Sequence, residues 1–376
     1  MEKIYFKGLN GIRFIAAFMV IVAHIEGFKK FAQLPNIRNN NIISQLGPQG
    51  VKIFFVLSGF LITYLLLSEV KVRSGIDIKK FYIRRILRIW PLYFFIALLG
   101  FFVLPQFFSP DYFPEKIHPH FDIKLLLTFF MLPNVVYLVF GHMFSIGVLW
   151  SIGTEEQFYL VWPHLINRIA KNLQALALLL FGILSVKVAC EITYSMEIFT
   201  GVAQKTIWVI QKILDFDCMT VGGIFAFIYF SDKKKILDVL YSKGVQIAVL
   251  VILFSLFLFN PKLYSFSNLV YSLLYGVLIL NVATNPGSIL SFENKALDYC
   301  GQISYGIYMY HSIFVALGIW IVRSTLLCTD SILSNLFLYP FAILCSIGIA
   351  ALSYHFLEKP ILHYKEKFMV VKSGKG

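Results

Sequence analysis

Charge is scarce in this sequence. Only 14% of its 376 residues are charged, against 58% hydrophobic, and the mean hydropathy is +0.75. Such a balance leaves no room for a sizeable polar domain. Cysteine is sparse too. Cys190, Cys218, Cys300, Cys328 and Cys345 are scattered through or beside apolar segments without pairing or metal-ligand spacing, and they read as small hydrophobes. There is no Gly-rich phosphate loop, no HExxH and no GxSxG, and no metal is expected. A cleavable signal is missing as well, because Arg13 and His24 interrupt the first apolar segment and no small-residue cleavage pattern precedes a soluble region. The net charge of +13 does not point to nucleic acid, since the basic residues collect in short loops between apolar runs.

What the sequence has is apolar runs near the ~20 residues that cross a bilayer. Lys3 and Lys7 precede the first, Gly8 to Phe28, which places the N-terminus in the cytoplasm and the polar segment Lys29 to Gln49 outside. Gly50 to Leu67 returns to the most basic loop, which carries Lys71, Arg73, Lys79, Lys80, Arg84, Arg85 and Arg88. Ile89 to Leu104 goes out, opened by Trp90-Pro91-Leu92-Tyr93 as an interfacial entry. Asp111, Pro114, Glu115, Pro119 and Asp122 suggest an outside loop. The run Leu125 to Phe140 is marginal; taken as re-entrant or superficial, it leaves every later basic loop inside. Later spans are expected at Val148–Ile166, Leu173–Cys190, Ile207–Phe230, Val245–Phe259, Ser267–Ala283, Ile303–Val322 and Leu333–Leu357. The expected fold is therefore all-α, a polytopic membrane protein of about ten spans with both termini cytoplasmic. It forms one membrane-embedded domain over 1–376, with spans within about 8–357, a basic tail over 358–376 and no soluble second domain.

Three groups of residues carry chemistry. Arg13 and His24 are eleven apart in the first span, hence on one helix face and ~16 Å apart along the axis. Ionisable groups inside a span usually face a polar cavity, although Arg13 could be a snorkelling anchor and His24 a satisfied core histidine. Glu155 and Glu156 lie about two turns into an apolar, aromatic span, ~100° apart, so only one can face a given cavity squarely. Their depth resembles that of His24, and a carboxylate that orients a histidine completes a general-base pair; the other reading is a structural carboxylate paired with a buried cation. Arg84, Arg85 and Arg88 cluster at the inner start of the third span, where guanidinium forks suit phosphate but also serve as a topology signal or bind anionic lipid.

These stretches carry a resemblance to the acyltransferase-3 family of integral-membrane acyltransferases. The chain resembles it at Leu-Asn-Gly-Ile-Arg (9–13) with His24, Gly-Val-Lys-Ile-Phe-Phe-Val-Leu-Ser-Gly-Phe-Leu-Ile-Thr (50–63) and Arg-Arg-Ile-Leu-Arg-Ile-Trp-Pro-Leu-Tyr (84–93). Further matches are Leu-Trp-Ser-Ile-Gly-Thr-Glu-Glu-Gln-Phe-Tyr-Leu-Val-Trp-Pro (149–163), Ile-Ser-Tyr-Gly-Ile-Tyr-Met-Tyr-His (303–311) and Ser-Tyr-His-Phe-Leu-Glu-Lys-Pro (353–360). Departures are Asn10 and Lys52, where aspartates are usual, and Gly153, which replaces a frequent serine.

The resemblance implies transfer of an acyl group, commonly acetyl, from cytosolic acetyl-CoA to a hydroxyl of an extracytoplasmic or lipid-linked glycan. The partners it implies are membrane lipid and a glycan acceptor, and the location a multi-pass protein of the plasma (inner) membrane. It implies that Arg85 and Arg88, with Arg13 and Arg84, hold the donor phosphates. It also implies that His24 acts on the acyl group, helped by Glu155 or Glu156, either by activating the acceptor or by carrying the acyl group itself. His311 is a lesser candidate on the acceptor side. An additional esterase-like domain, which some relatives carry, is not expected here. The other class of function, a proton-coupled transporter or flippase of lipid-linked glycans, lacks the matched broken helices such proteins show.

Overall fold

The computed structural model describes residues 4–107, 119–141, 143, 146–169, 172–213, 215–325 and 331–370. Asp111, Pro114, Glu115, Cys328 and the last tail lysines lie outside the described residues. Helix dominates and no strand occurs among the described residues. The helices are α1 (Leu9–Phe31), α2 (Asn41–Arg73), α3 (Ile78–Leu98), α4 (Phe121–Phe129), α5 (Pro133–Phe140), α6 (Leu149–Ile169), α7 (Leu173–Ser195) and α8 (Gly201–Ile213). They continue as α9 (Asp217–Phe230), α10 (Lys234–Tyr241), α11 (Lys243–Phe259), α12 (Ser267–Thr284), α13 (Lys295–Gln302), α14 (Ser304–Ser324), α15 (Ser331–Ser353) and α16 (Lys359–Lys365).

This is an all-α polytopic membrane protein, but the spans differ from the expected ten. Among the described residues seven helices are long and apolar enough to cross a bilayer, or eight if α10 and α11, bent by 58°, count as one broken span. The run Ile207–Phe230 is two helices, because Asp215 and Asp217 at the break turn onto Lys187 of α7, at 2.8 and 2.9 Å. The run Leu125–Phe140 is also divided, into α4 and α5 of 9 and 8 residues, with Met131 at φ 58° between them. Neither reaches the length of a span. The helix α6 has 21 residues but is not among the seven, since its middle carries Glu155, Glu156 and Gln157. Helix α3 starts well before Trp90, capped by Asp77, whose carboxylate accepts from the Lys80 amide at 3.0 Å; Pro91 therefore lies inside the helix.

Close backbone approach sets the packing of the bundle. Helices α2 and α9 meet at glycines: a Cβ on Gly59 would lie 1.9 Å from the Met219 carbonyl oxygen, and one on Gly222 2.1 Å from that of Val56. Small residues let helices pack this tightly in lipid, where apolar burial gives little drive to associate. On its other sides α1 packs against α2, α13 and α14, and α14 against α15. Helix α1 is thereby flanked by protein over much of its surface, although Phe18, Lys30 and Phe31 stay exposed.

Candidate active site

A cavity of about 1130 Å³ opens at the end of the bundle that carries the basic loop between α2 and α3. Its walls come from the first half of α1, the middle of α2 and of α3, the first half of α6, the start of α14 and helix α16. Along α2 the lining runs from Leu65 to Val51, about 21 Å of helix. The deep end is closed by Phe54, Ser151 and Tyr308, where the Tyr308 and Ser151 hydroxyls bond at 2.7 Å.

Arg13, Arg85 and Arg88 all line this cavity. Arg85 and Arg88 reach it together because residues three apart share a helix face. The Arg13 guanidinium donates to the Asn10 side-chain oxygen at 2.9 Å, and Asn10 in turn donates to Asp298 at 2.8 Å. The amide thus bridges Arg13 to a carboxylate. Arg85 lies between the rings of Phe81 and Tyr159, 5.7 and 5.6 Å from their centroids, and its Nε is buried without a hydrogen-bond partner. Among the described residues no carboxylate lies within 4.0 Å of Arg13, Arg85 or Arg88. Two buried lysines elsewhere in the molecule are paired, Lys29 with Glu26 at 2.6 Å and Lys187 with Asp217 at 2.9 Å. Unpaired guanidinium groups on a cavity wall suit an anionic ligand.

Arg84 does not join them. It turns away to bond Glu69 at 3.1 Å and the Phe368 carbonyl at 2.9 Å, because it lies ~100° around the helix from Arg85. The same geometry separates the two glutamates. Glu155 lines the cavity and accepts from the Tyr159 hydroxyl at 2.7 Å. Glu156 faces α3, where one oxygen accepts from the Trp90 indole at 3.0 Å and the other is buried without a partner.

His24 bonds His311 rather than pairing with a glutamate as expected. The His24 Nδ1 and His311 Nε2 atoms are 2.6 Å apart with the rings nearly parallel, and the His311 Nδ1 lies 2.6 Å from the Tyr308 carbonyl. A carbonyl only accepts, so the His311 Nδ1 carries hydrogen, and its Nε2 in the neutral ring is an acceptor. His24 must then donate from Nδ1, which leaves the lone pair on its Nε2. Between this pair and Glu155 stand Tyr308, whose carbonyl meets His311 and whose hydroxyl meets Ser151, and Ser151 itself, one turn before Glu155 on α6.

Tyr308, Ser151, Tyr159 and Lys365 line the cavity and were not among the expected residues. Tyr159 was findable, since it follows Glu155 by one helical turn. The others required knowing how α14 and the tail helix register against α1 and α6.

Fold and cavity together define a helical membrane protein with a deep, cation-lined site reaching toward a histidine pair, half-buried His24 and buried His311. The chain belongs to the acyltransferase-3 family, whose model, described as an acyltransferase domain, matches residues 6–355. Among its relatives, the peptidoglycan O-acetyltransferase OatA of Listeria monocytogenes is 27% identical over 95% of this chain and 56% of its own length. The O-acetyltransferase OatA of Staphylococcus aureus is 26% identical over 95% of this chain and 57% of its own. The chain thus spans just over half the length of these relatives. No solved structure matches it.

Proposed function

We propose that this protein is a plasma-membrane O-acyltransferase that takes an acetyl group from cytosolic acetyl-CoA and places it on a hydroxyl of a cell-wall glycan. The observation that carries this reading is the cavity itself, about 1130 Å³, with unpaired Arg13, Arg85 and Arg88 on its wall and the His24–His311 pair one turn beyond its deep end. Several phosphates on one end of a long, flexible arm fit cations at an open mouth. The names of the relatives support a glycan acceptor, and the family supports acyl transfer.

A bound acyl-CoA supplies an activated thioester. Arg85 and Arg88 hold its phosphates, and Arg13, fixed by Asn10, neutralises charge further in. His24 accepts a proton at Nε2 from the attacking hydroxyl while His311 holds its ring in that tautomer and takes up part of the developing positive charge. The proton leaves with the departing thiol. Glu155 balances the arginine cluster from the opposite wall rather than orienting His24.

The test is acyl transfer in sealed vesicles of known orientation, with radiolabelled acetyl-CoA on the cytoplasmic face only. Label on glycan at the far face, lost in His24→Ala while folded protein persists, is the expected result. Normal turnover in that variant would overturn the mechanism. Glycan movement that follows a proton gradient without acetyl transfer would overturn the enzyme reading in favour of a transporter.

A further inference from the structure

Helix α16 returns the C-terminal segment of the chain to the cavity. It packs against α3, and Lys365 at its end lines the cavity mouth with Arg85 and Arg88. Lys365 also borders a small adjoining hollow of about 30 Å³ with Arg84 and Arg85. The side chain is only 9% exposed, unlike a solvated tail lysine. Among the described residues it has no hydrogen-bond acceptor and no carboxylate within 4.0 Å. Glu69, in the same hollow, is already engaged by Arg84 at 3.1 Å and the Asp77 amide at 2.7 Å. The ammonium lies within electrostatic range of Arg88, Arg85, Arg84 and Arg13, all of its own sign.

Lys365, Arg13, Arg85 and Arg88 bring four like charges onto one cavity, and among the described residues the carboxylates that also line it, Glu155 and Glu358, form no ion pair with any of them, which favours an anionic ligand there. The lysine comes from a different element, α16, which packs against the helix that carries Arg85 and Arg88. We propose that Lys365 is a donor-binding residue, which completes with Arg13, Arg85 and Arg88 a cage for phosphate groups, so that the tail helix forms one wall of the donor site. The inference rests on the acyl-CoA reading above. It adds a cation that the resemblance did not place there.

The experiment measures binding to the purified full chain in nanodiscs, using radiolabelled acetyl-CoA competed by CoA, by 3′-dephospho-CoA and by phosphate-free pantetheine. Wild type should bind CoA far more tightly than pantetheine. Lys365→Ala should weaken CoA by about 10-fold or more, the scale of one lost charge-assisted hydrogen bond. Pantetheine should be unaffected, and Lys365→Arg should restore most of the loss. The effect of removing the 3′-phosphate should shrink in Lys365→Ala if that phosphate is the one held, and persist if the diphosphate is. Lys367→Ala, on an exposed neighbour outside the cavity lining, should bind as wild type. Unchanged CoA affinity in Lys365→Ala, with Arg85→Ala still defective, would overturn the role of Lys365 and leave the donor reading standing. An equal loss for pantetheine and CoA would overturn it too, as a general collapse of the site. No preference of wild type for CoA over pantetheine would overturn the donor reading itself.

Discussion

Removing His311 tests the proposed role of the His24–His311 pair separately from the donor cavity. Its imidazole is fully buried, bonds His24 on one nitrogen and the Tyr308 carbonyl on the other, and does not line the cavity. In His311→Ala the ring of His24 loses the acceptor that fixes its tautomer, and the Nε2 lone pair is no longer held toward the acceptor hydroxyl. Positioned general-base catalysis contributes about 10²–10⁴-fold, so kcat should fall by at least about 10²-fold. The deletion also opens a small cavity and frees the Tyr308 carbonyl, at a cost of about 1–3 kcal/mol, which lowers the melting temperature without unfolding the protein. Because the arginines are untouched, KM for acetyl-CoA should stay within a few-fold. The assay is steady-state transfer from radiolabelled acetyl-CoA in nanodiscs, with thermal melting in parallel. His311→Gln, whose side-chain carbonyl can still accept from His24, should recover part of kcat. The double variant with His24→Ala should be no worse than His24→Ala alone. A folded His311→Ala enzyme with unchanged kcat, or one whose defect lies wholly in KM, would refute that role for His311.

Other substitutions test how the remaining parts are built. Arg84→Ala strands Glu69, whose carboxylate is buried, and should cost about 3–5 kcal/mol; melting should reveal it, while donor KM in surviving protein changes less than in Arg85→Ala. Gly222→Ala puts a methyl 2.1 Å from the Val56 carbonyl oxygen, so α2 and α9 must separate; a loss of about 1–3 kcal/mol or of monodisperse protein is expected, and wild-type melting would argue against this packing.

The class of fold was legible in the sequence, and so were several of the side chains that line the cavity. Apolar runs leave few alternatives to a helical membrane bundle, and each ionisable group within one needs protein or water around it, so Arg13, His24, Glu155, Arg85 and Arg88 stood out. Helical spacing also showed that only one of two adjacent glutamates could face a cavity. Which glutamate, and whether His24 would meet it, was not legible. Those answers depend on the rotation and register of α1, α6 and α14 against one another, set by contacts hundreds of residues apart, such as the one joining His24 to His311. The spans were misread where polar groups cut an apolar run, since hydropathy records average apolarity and not the ion pair that ends a helix at Asp215 and Asp217. That Arg84 is consumed by Glu69 and that Lys365 turns back into the cavity emerges from the folded bundle alone, because pairing partners are chosen by proximity in space and the chain's order does not encode that locally.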